Sequence, residues 1–107
     1  MSAMDEPVFR KLADAELKVI AQALDPIEAL TVDLANDILT IEFEDGQKYV
    51  ANLQGPTRQI WFAANFTAGH YDFDQSSRTW RDSKNGEELR VRIARDVQQK
   101  LGKPVRI

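Results

Sequence analysis

Apolar residues recur along the chain at two spacings, and the changes of spacing divide it into elements. Over residues 5–24, Phe9, Leu12, Ala13, Leu17, Ile20 and Leu24 return at helical intervals and form one stripe. Asp5 suits the cap of this helix, and Glu6 and Pro7 suit its first turn. Asp14 and Lys18 stand four residues apart on the opposite side. Asp25-Pro26 closes the helix, because proline disfavours helical geometry in the residue before it.

From Leu30 the period falls to two. Leu30, Val32 and Leu34 alternate with Thr31 and Asp33; after Asn36-Asp37, Leu39, Ile41 and Phe43 alternate with Thr40, Glu42 and Glu44. Asp45-Gly46 marks a turn. A two-residue loop there would pair Phe43 with Lys48 and mix polar with apolar on one face. A three-residue loop at 45–47 pairs Phe43 with Tyr49, Ile41 with Ala51 and Leu39 with Leu53, and sets Glu44 opposite Lys48. That register keeps one face apolar and puts Thr40, Glu42, Val50, Asn52 and Gln54 on the other. Further strands are expected at 58–64, 69–74 and 78–82. Asn85-Gly86 then turns into a helix over 87–101, with Leu89, Ile93, Val97 and Leu101 as its stripe and Gly102 and Pro104 at its end.

The order helix, five or six strands, helix implies an α+β fold. Two helices pack on one face of an antiparallel meander, as a two-layer sandwich. The other face meets solvent or a partner. By parity Trp61 lies there, near Asn52, Gln54, Gln59 and His70. Two readings fit it: an aromatic anchor in a polar interface, or a packed residue under the C-terminal tail or a loop.

Composition narrows the chemistry. The 107 residues make one domain. With no cysteine there is no disulfide, thiolate metal site or thiol nucleophile. A single histidine excludes a histidine-rich iron site within one protomer. No apolar run reaches the roughly 20 residues of a membrane span, and the start "MSAMDEPVF" has no basic or apolar leader. A net charge of −3 argues against a nucleic-acid backbone binder. Arg90, Arg92 and Arg95 therefore read as a solvated face of the last helix, balanced by Glu87, Glu88 and Asp96, with Lys100, Lys103 and Arg106 following.

The segment "NLQGPTRQIWFAANFTAGHYDFDQSSRTW" resembles the frataxin family, including its bacterial CyaY members. The resemblance rests on Asn52, Gln54, Pro56, Gln59, Ile60 and Trp61, then Tyr71-Asp72-Phe73, then the isolated Trp80, with "FRKLAD" at 9–14 and the same element order. It implies a two-layer α/β sandwich that binds ferrous and ferric iron weakly through exposed carboxylates of the first helix and strand. It also implies docking on the cysteine desulfurase and scaffold of iron–sulfur cluster assembly, slowed by bacterial members and stimulated by mitochondrial ones. The equivalents of Asn52, Gln54, Gln59 and Trp61 contribute to that docking, and His70 falls where some members carry arginine.

Iron accepts oxygen ligands and imidazole. The candidate carboxylates are Asp5, Glu6 and Asp14 on the first helix, Asp25 and Glu28 after it, and Asp33 and Asp37 around the first strand. Asp25, Glu28, Asp33 and Asp37 form a ridge if helix end and strand edge converge. Asp5 and Glu6 also read as capping residues, and Asp37 as a turn residue. The ridge is thinner than in bacterial frataxins, because Ala21, Gln22, Ala23 and Pro26 occupy positions where acids are usual, and Lys11 and Lys18 dilute it. Nothing local marks an enzyme: there is no Ser-His-Asp arrangement and no Glu-x-x-His pair, so any ferroxidase activity would be surface iron chemistry. The expected protein is an iron-binding adaptor of the bacterial cytoplasm, monomeric without iron. The alternative is an interaction domain that uses the Trp61 face with little or no iron binding.

Overall fold

The computed structural model describes residues 4–107. Helix α1 (Glu6–Leu24) is followed by six strands, β1 (Leu30–Ala35), β2 (Ile38–Phe43), β3 (Lys48–Gln54), β4 (Gln59–Ala64), β5 (Thr67–Asp74) and β6 (Thr79–Asp82), and then by helix α2 (Leu89–Leu101). All neighbours in the sheet are sequential and antiparallel. Alternation does the sorting. Leu39, Ile41, Phe43, Tyr49, Ala51, Ile60, Phe62, Ala64, Tyr71 and Trp80 point to one side and are buried with Phe9, Ala13, Leu17, Ile20 and Leu24 of α1 and Leu89, Ile93 and Val97 of α2. The two-layer α+β architecture is as expected, with six strands.

Turn chemistry sets the register. Asn36 and Asp37 both take positive φ, 55° and 65°, in the two-residue turn that pairs Ala35 with Ile38. Between β2 and β3 the structure corrects the expected loop. Ile41 pairs with Tyr49, Leu39 with Ala51 and Glu42 with Lys48. The loop is 44–46, closed by Gly46 N–H donating to Phe43 C=O at 2.9 Å and Phe43 N–H donating to Gln47 C=O at 2.9 Å. The reason is Gly46 at φ 89°, the left-handed residue that must stand third in a three-residue hairpin loop. A shift of two residues preserves parity, so the predicted faces hold.

The basic face read on the last helix is also corrected. Arg92 is 8% exposed. Its Nε donates to Asp96 at 2.6 Å, and its terminal nitrogens donate to Thr67 Oγ1 at 2.6 Å and Tyr71 Oη at 3.3 Å. The guanidinium lies 5.4 Å from the Phe62 ring centre. Arg90 reaches α1, where it donates to both oxygens of the buried Glu16 at 2.9 and 2.8 Å. Helical spacing places these arginines beside the apolar stripe, and the sheet and α1 supply partners that a sequence does not display. The helix starts at Leu89, later than expected, because the segment before it is bound to β6: Asp82 N–H donates to Glu87 C=O at 2.9 Å. Asp5 is the N-cap of α1 by backbone geometry but makes no side-chain cap bond, which corrects its expected capping role. After Gly102 the tail folds back on α2, Val105 N–H donating to Gln98 Oε1 at 3.3 Å while Val105 joins the core. The tail therefore covers the helical side and not Trp61.

Arg92→Ala takes from the mostly buried Asp96 its near cation and leaves it only Arg95 at 3.8 Å, and a loss of about 3 kcal/mol is expected from urea denaturation. A pH dependence follows from Asp74 in the β5–β6 turn. Hydrogen bonds from the Ser77 and Ser76 side chains hold its carboxyl below the ordinary 3.8. A depressed folded value means the stabilisation is complete above the unfolded pKa and is lost as pH falls through the folded one. Asp74→Asn is expected to lower the urea midpoint at neutral pH and to match wild type in strong acid.

Candidate functional site

The uncovered face of the sheet carries two adjoining polar rows. In the first, Ile38 pairs with Asn52, Asn52 with Trp61 and Trp61 with His70. In the second, Gln54 pairs with Gln59, and Asp72 with Arg81. The indole and imidazole lie parallel, with ring centres 4.1 Å apart and planes 10° from each other. Trp61 Nε1 donates to Gln59 Oε1 at 2.9 Å, and Gln59 Nε2 donates to Asp72 Oδ1 at 3.0 Å. One amide thus has both ends engaged, which fixes its orientation and, through it, the indole edge. Trp61 is half-buried by its neighbours and still presents surface outward. Asn52 and Gln54 make no side-chain hydrogen bond among the described residues, so their donors and acceptors face solvent.

Local geometry accounts for this face. The β3–β4 turn is held by Arg58, at φ 54°, whose Nε donates to Met4 C=O at 2.9 Å and whose Nη1 donates to Gly55 C=O. Pinning that turn aligns Gln54 with Gln59 and hence Asn52 with Trp61. All five sequence-predicted partner residues, Asn52, Gln54, Gln59, Trp61 and His70, lie on this one face. The reading missed Asp72, Arg81 and Ile38 beside them. Parity along β5 shows Asp72 two residues from His70; Arg81 and Ile38 need the strand order.

The carboxylates are arranged differently from the expected ridge. Asp37 accepts from Arg10 at 2.6 Å, and the same guanidinium donates to Glu6 at 3.2 Å. Asp37 and Glu6 together hold the Arg10 guanidinium above its ordinary pKa. Asp14 pairs with Lys18 at 2.9 Å. Asp25 and Glu28 are exposed past the end of α1, and Asp33 is exposed on the open face opposite Thr40. Asp37 is tied to the first turns of α1 while Asp25 follows its last, with a helix of roughly 28 Å between them. Convergence of Asp25, Glu28, Asp33 and Asp37 is therefore not found: among the described residues no three acidic or histidine side chains are grouped to hold one ion.

The family model of the frataxin-like domain matches residues 2–103. The chain belongs to the frataxin family. A Ralstonia nicotianae protein named iron-sulfur cluster assembly protein CyaY is 36% identical to this frataxin over 104 residues, covering 92% of this chain and 90% of its own. The protein of that name from Paraburkholderia phymatum is 35% identical, covering 97% and 98%. Frataxin from Psychromonas ingrahamii has the same fold, with a TM-score of 0.88 at 26% identity over 96% of this chain and 97% of that one. Trimeric yeast frataxin in a ferrous complex shares the fold at a TM-score of 0.67 and 24% identity, over 96% and 91%. This frataxin is thus a member of a family of iron–sulfur cluster assembly proteins and not of a class of enzymes. Among the described residues, no helix is long and apolar enough to cross a membrane.

Gln59→Ala removes the acceptor that holds the indole. It is expected to move the Trp61 indole resonance in a proton–nitrogen correlation spectrum while costing about 1–2 kcal/mol, since two hydrogen bonds at a half-exposed site are lost.

Proposed function

We propose that this frataxin is a non-enzymatic adaptor that docks on the cysteine desulfurase–scaffold complex through its open sheet face and modulates cluster assembly. The observation that carries the reading is the oriented Trp61, stacked on His70, hydrogen-bonded to Gln59 and flanked by the free amides of Asn52 and Gln54. Preorganised aromatic surface beside unspent hydrogen-bonding groups is what a protein interface uses. The relatives named for iron–sulfur cluster assembly support the choice of partner, and their bacterial sources support a bacterial cytoplasmic setting. In this reading the chain acts as a monomer without iron.

Iron, ferrous or ferric, is the cargo in this reading. It is held loosely by exposed carboxylates with water completing the shell. Of the candidate carboxylates, Asp5, Asp25, Glu28 and Asp33 have no ion-pair partner among the described residues, whereas Glu6, Asp37 and Asp14 share their charge with Arg10 and Lys18. Asp5 stands beside Glu6 at the start of α1 as a further exposed oxygen donor. That partial neutralisation favours a second reading, an interaction domain with little iron binding.

Two titrations separate these readings. Binding to the desulfurase at low and high salt is expected to weaken about thirty-fold in Trp61→Ala, the effect of a hot spot of roughly 2 kcal/mol. It is expected to weaken moderately, and only at low salt, in the double variant Asp25→Ala, Asp33→Ala. Absence of wild-type binding at either salt overturns the adaptor. Anaerobic ferrous titration is expected to give weak saturable binding that strengthens in Arg10→Ala, which releases Glu6 and Asp37. No saturable binding in either protein leaves the interaction domain as the function.

A further inference from the structure

A cavity of about 640 Å³ opens on the helical side of the sheet, away from Trp61, between α2 and the β4–β5 turn. Its size lies within the range of small-molecule sites. Its wall mixes three cations, Arg92, Arg95 and Lys100, with one carboxylate, Asp96. Arg92 is committed to Asp96, Thr67 and Tyr71. The other two cations are held in surface ion pairs. Arg95 is half-exposed and bound to Glu87, with Asp96 at 3.8 Å, and Lys100 pairs with the exposed Asp45. Solvent-exposed pairs are worth little free energy, so an anionic ligand group can displace the carboxylates at small cost.

Two further observations point into the same space. Tyr49 is 1% exposed as a residue and lines the cavity; its hydroxyl makes no hydrogen bond to protein among the described residues, and its oxygen is not sealed from solvent. Burial pushes the hydroxyl's pKa up, so it stays protonated and able to donate to a group in the cavity it lines. At the rim, Phe66 is fully exposed at the tip of the β4–β5 turn, where it packs against nothing in the fold. An aromatic side chain with no folding role beside a cationic cavity is surface available for a ligand.

We propose that this cavity binds a small organic anion with a flat apolar body, its charged group between Arg95 and Lys100, hydrogen-bonded by the Tyr49 hydroxyl, and its body against Phe66. The site is independent of the docking face.

The test uses phenyl phosphate as probe, with inorganic phosphate and benzyl alcohol as controls that carry the charge or the ring alone. Each is titrated into the isotope-labelled full chain and followed in proton–nitrogen correlation spectra. Phenyl phosphate is expected to give saturable shifts at Thr67, Phe66 and Gln99, and to bind about ten-fold more tightly than either control. Arg95→Gln and Tyr49→Phe are each expected to weaken binding several-fold while the Trp61 indole resonance stays in place, which shows that the fold is kept. The proposal is overturned if phenyl phosphate produces no saturable shift at these amides, if a control matches it, or if both variants bind as wild type does. In the last two cases the cavity is a solvent-filled cleft whose water satisfies Tyr49.

Discussion

Two helices can dry only one side of a six-stranded sheet, and the molecule is organised around that limit. The strands alternate so that every second side chain enters the common core, while the residues between them stay in contact with water. A sheet face left open must be polar enough to remain soluble. Most of it is: Asn52, Gln54, Gln59, Asp72 and Arg81 fill it. Trp61 is the largest apolar group there, with Ile38 and Val50 on the same face, and its stacking on His70 and its bond to Gln59 are how so large an aromatic ring is held on a wet surface.

The covered face depends on polar staples as well as on apolar contact. α2 is short and has few large residues on its stripe. Glu16–Arg90 ties it to α1, and Arg92 ties it to β5 through Thr67 and Tyr71. These contacts are satisfied on every side: among the described residues no buried side-chain nitrogen or oxygen lacks a partner. Such a network sets the position of the helix more than it adds net stability, because desolvation offsets much of the Coulomb gain.

Faces were legible in the sequence and pairings were not. Period-two alternation placed Asn52, Gln54, Gln59, Trp61 and His70 together, since parity survives an error of two residues in register. The β2–β3 register itself turned on Gly46, whose left-handed backbone decides which residue closes the loop. Charged residues were harder. Glu16 falls four residues after Leu12 and four before Ile20, inside the apolar stripe, and that position was the available signal of burial. Arg92 and Asp96 are a helical i, i+4 pair next to Ile93, yet nothing local announces Thr67 and Tyr71 as the other partners. The expected carboxylate ridge is not grouped for a related reason: Asp25 and Asp37 stand at opposite ends of α1, and Arg10 ties Asp37 to Glu6.

The distance in sequence between the helices has a consequence for synthesis. Glu16 and Arg90 are 74 residues apart, and each strand pairs with the one made just before it. A chain growing from its N-terminus can therefore assemble hairpin on hairpin while α1 covers part of the apolar face. The part that α2 will cover stays wet until the last stretch of chain has been made. For that interval the nascent protein is a sheet with two exposed sides, and it is then that sticking to another chain competes most directly with folding.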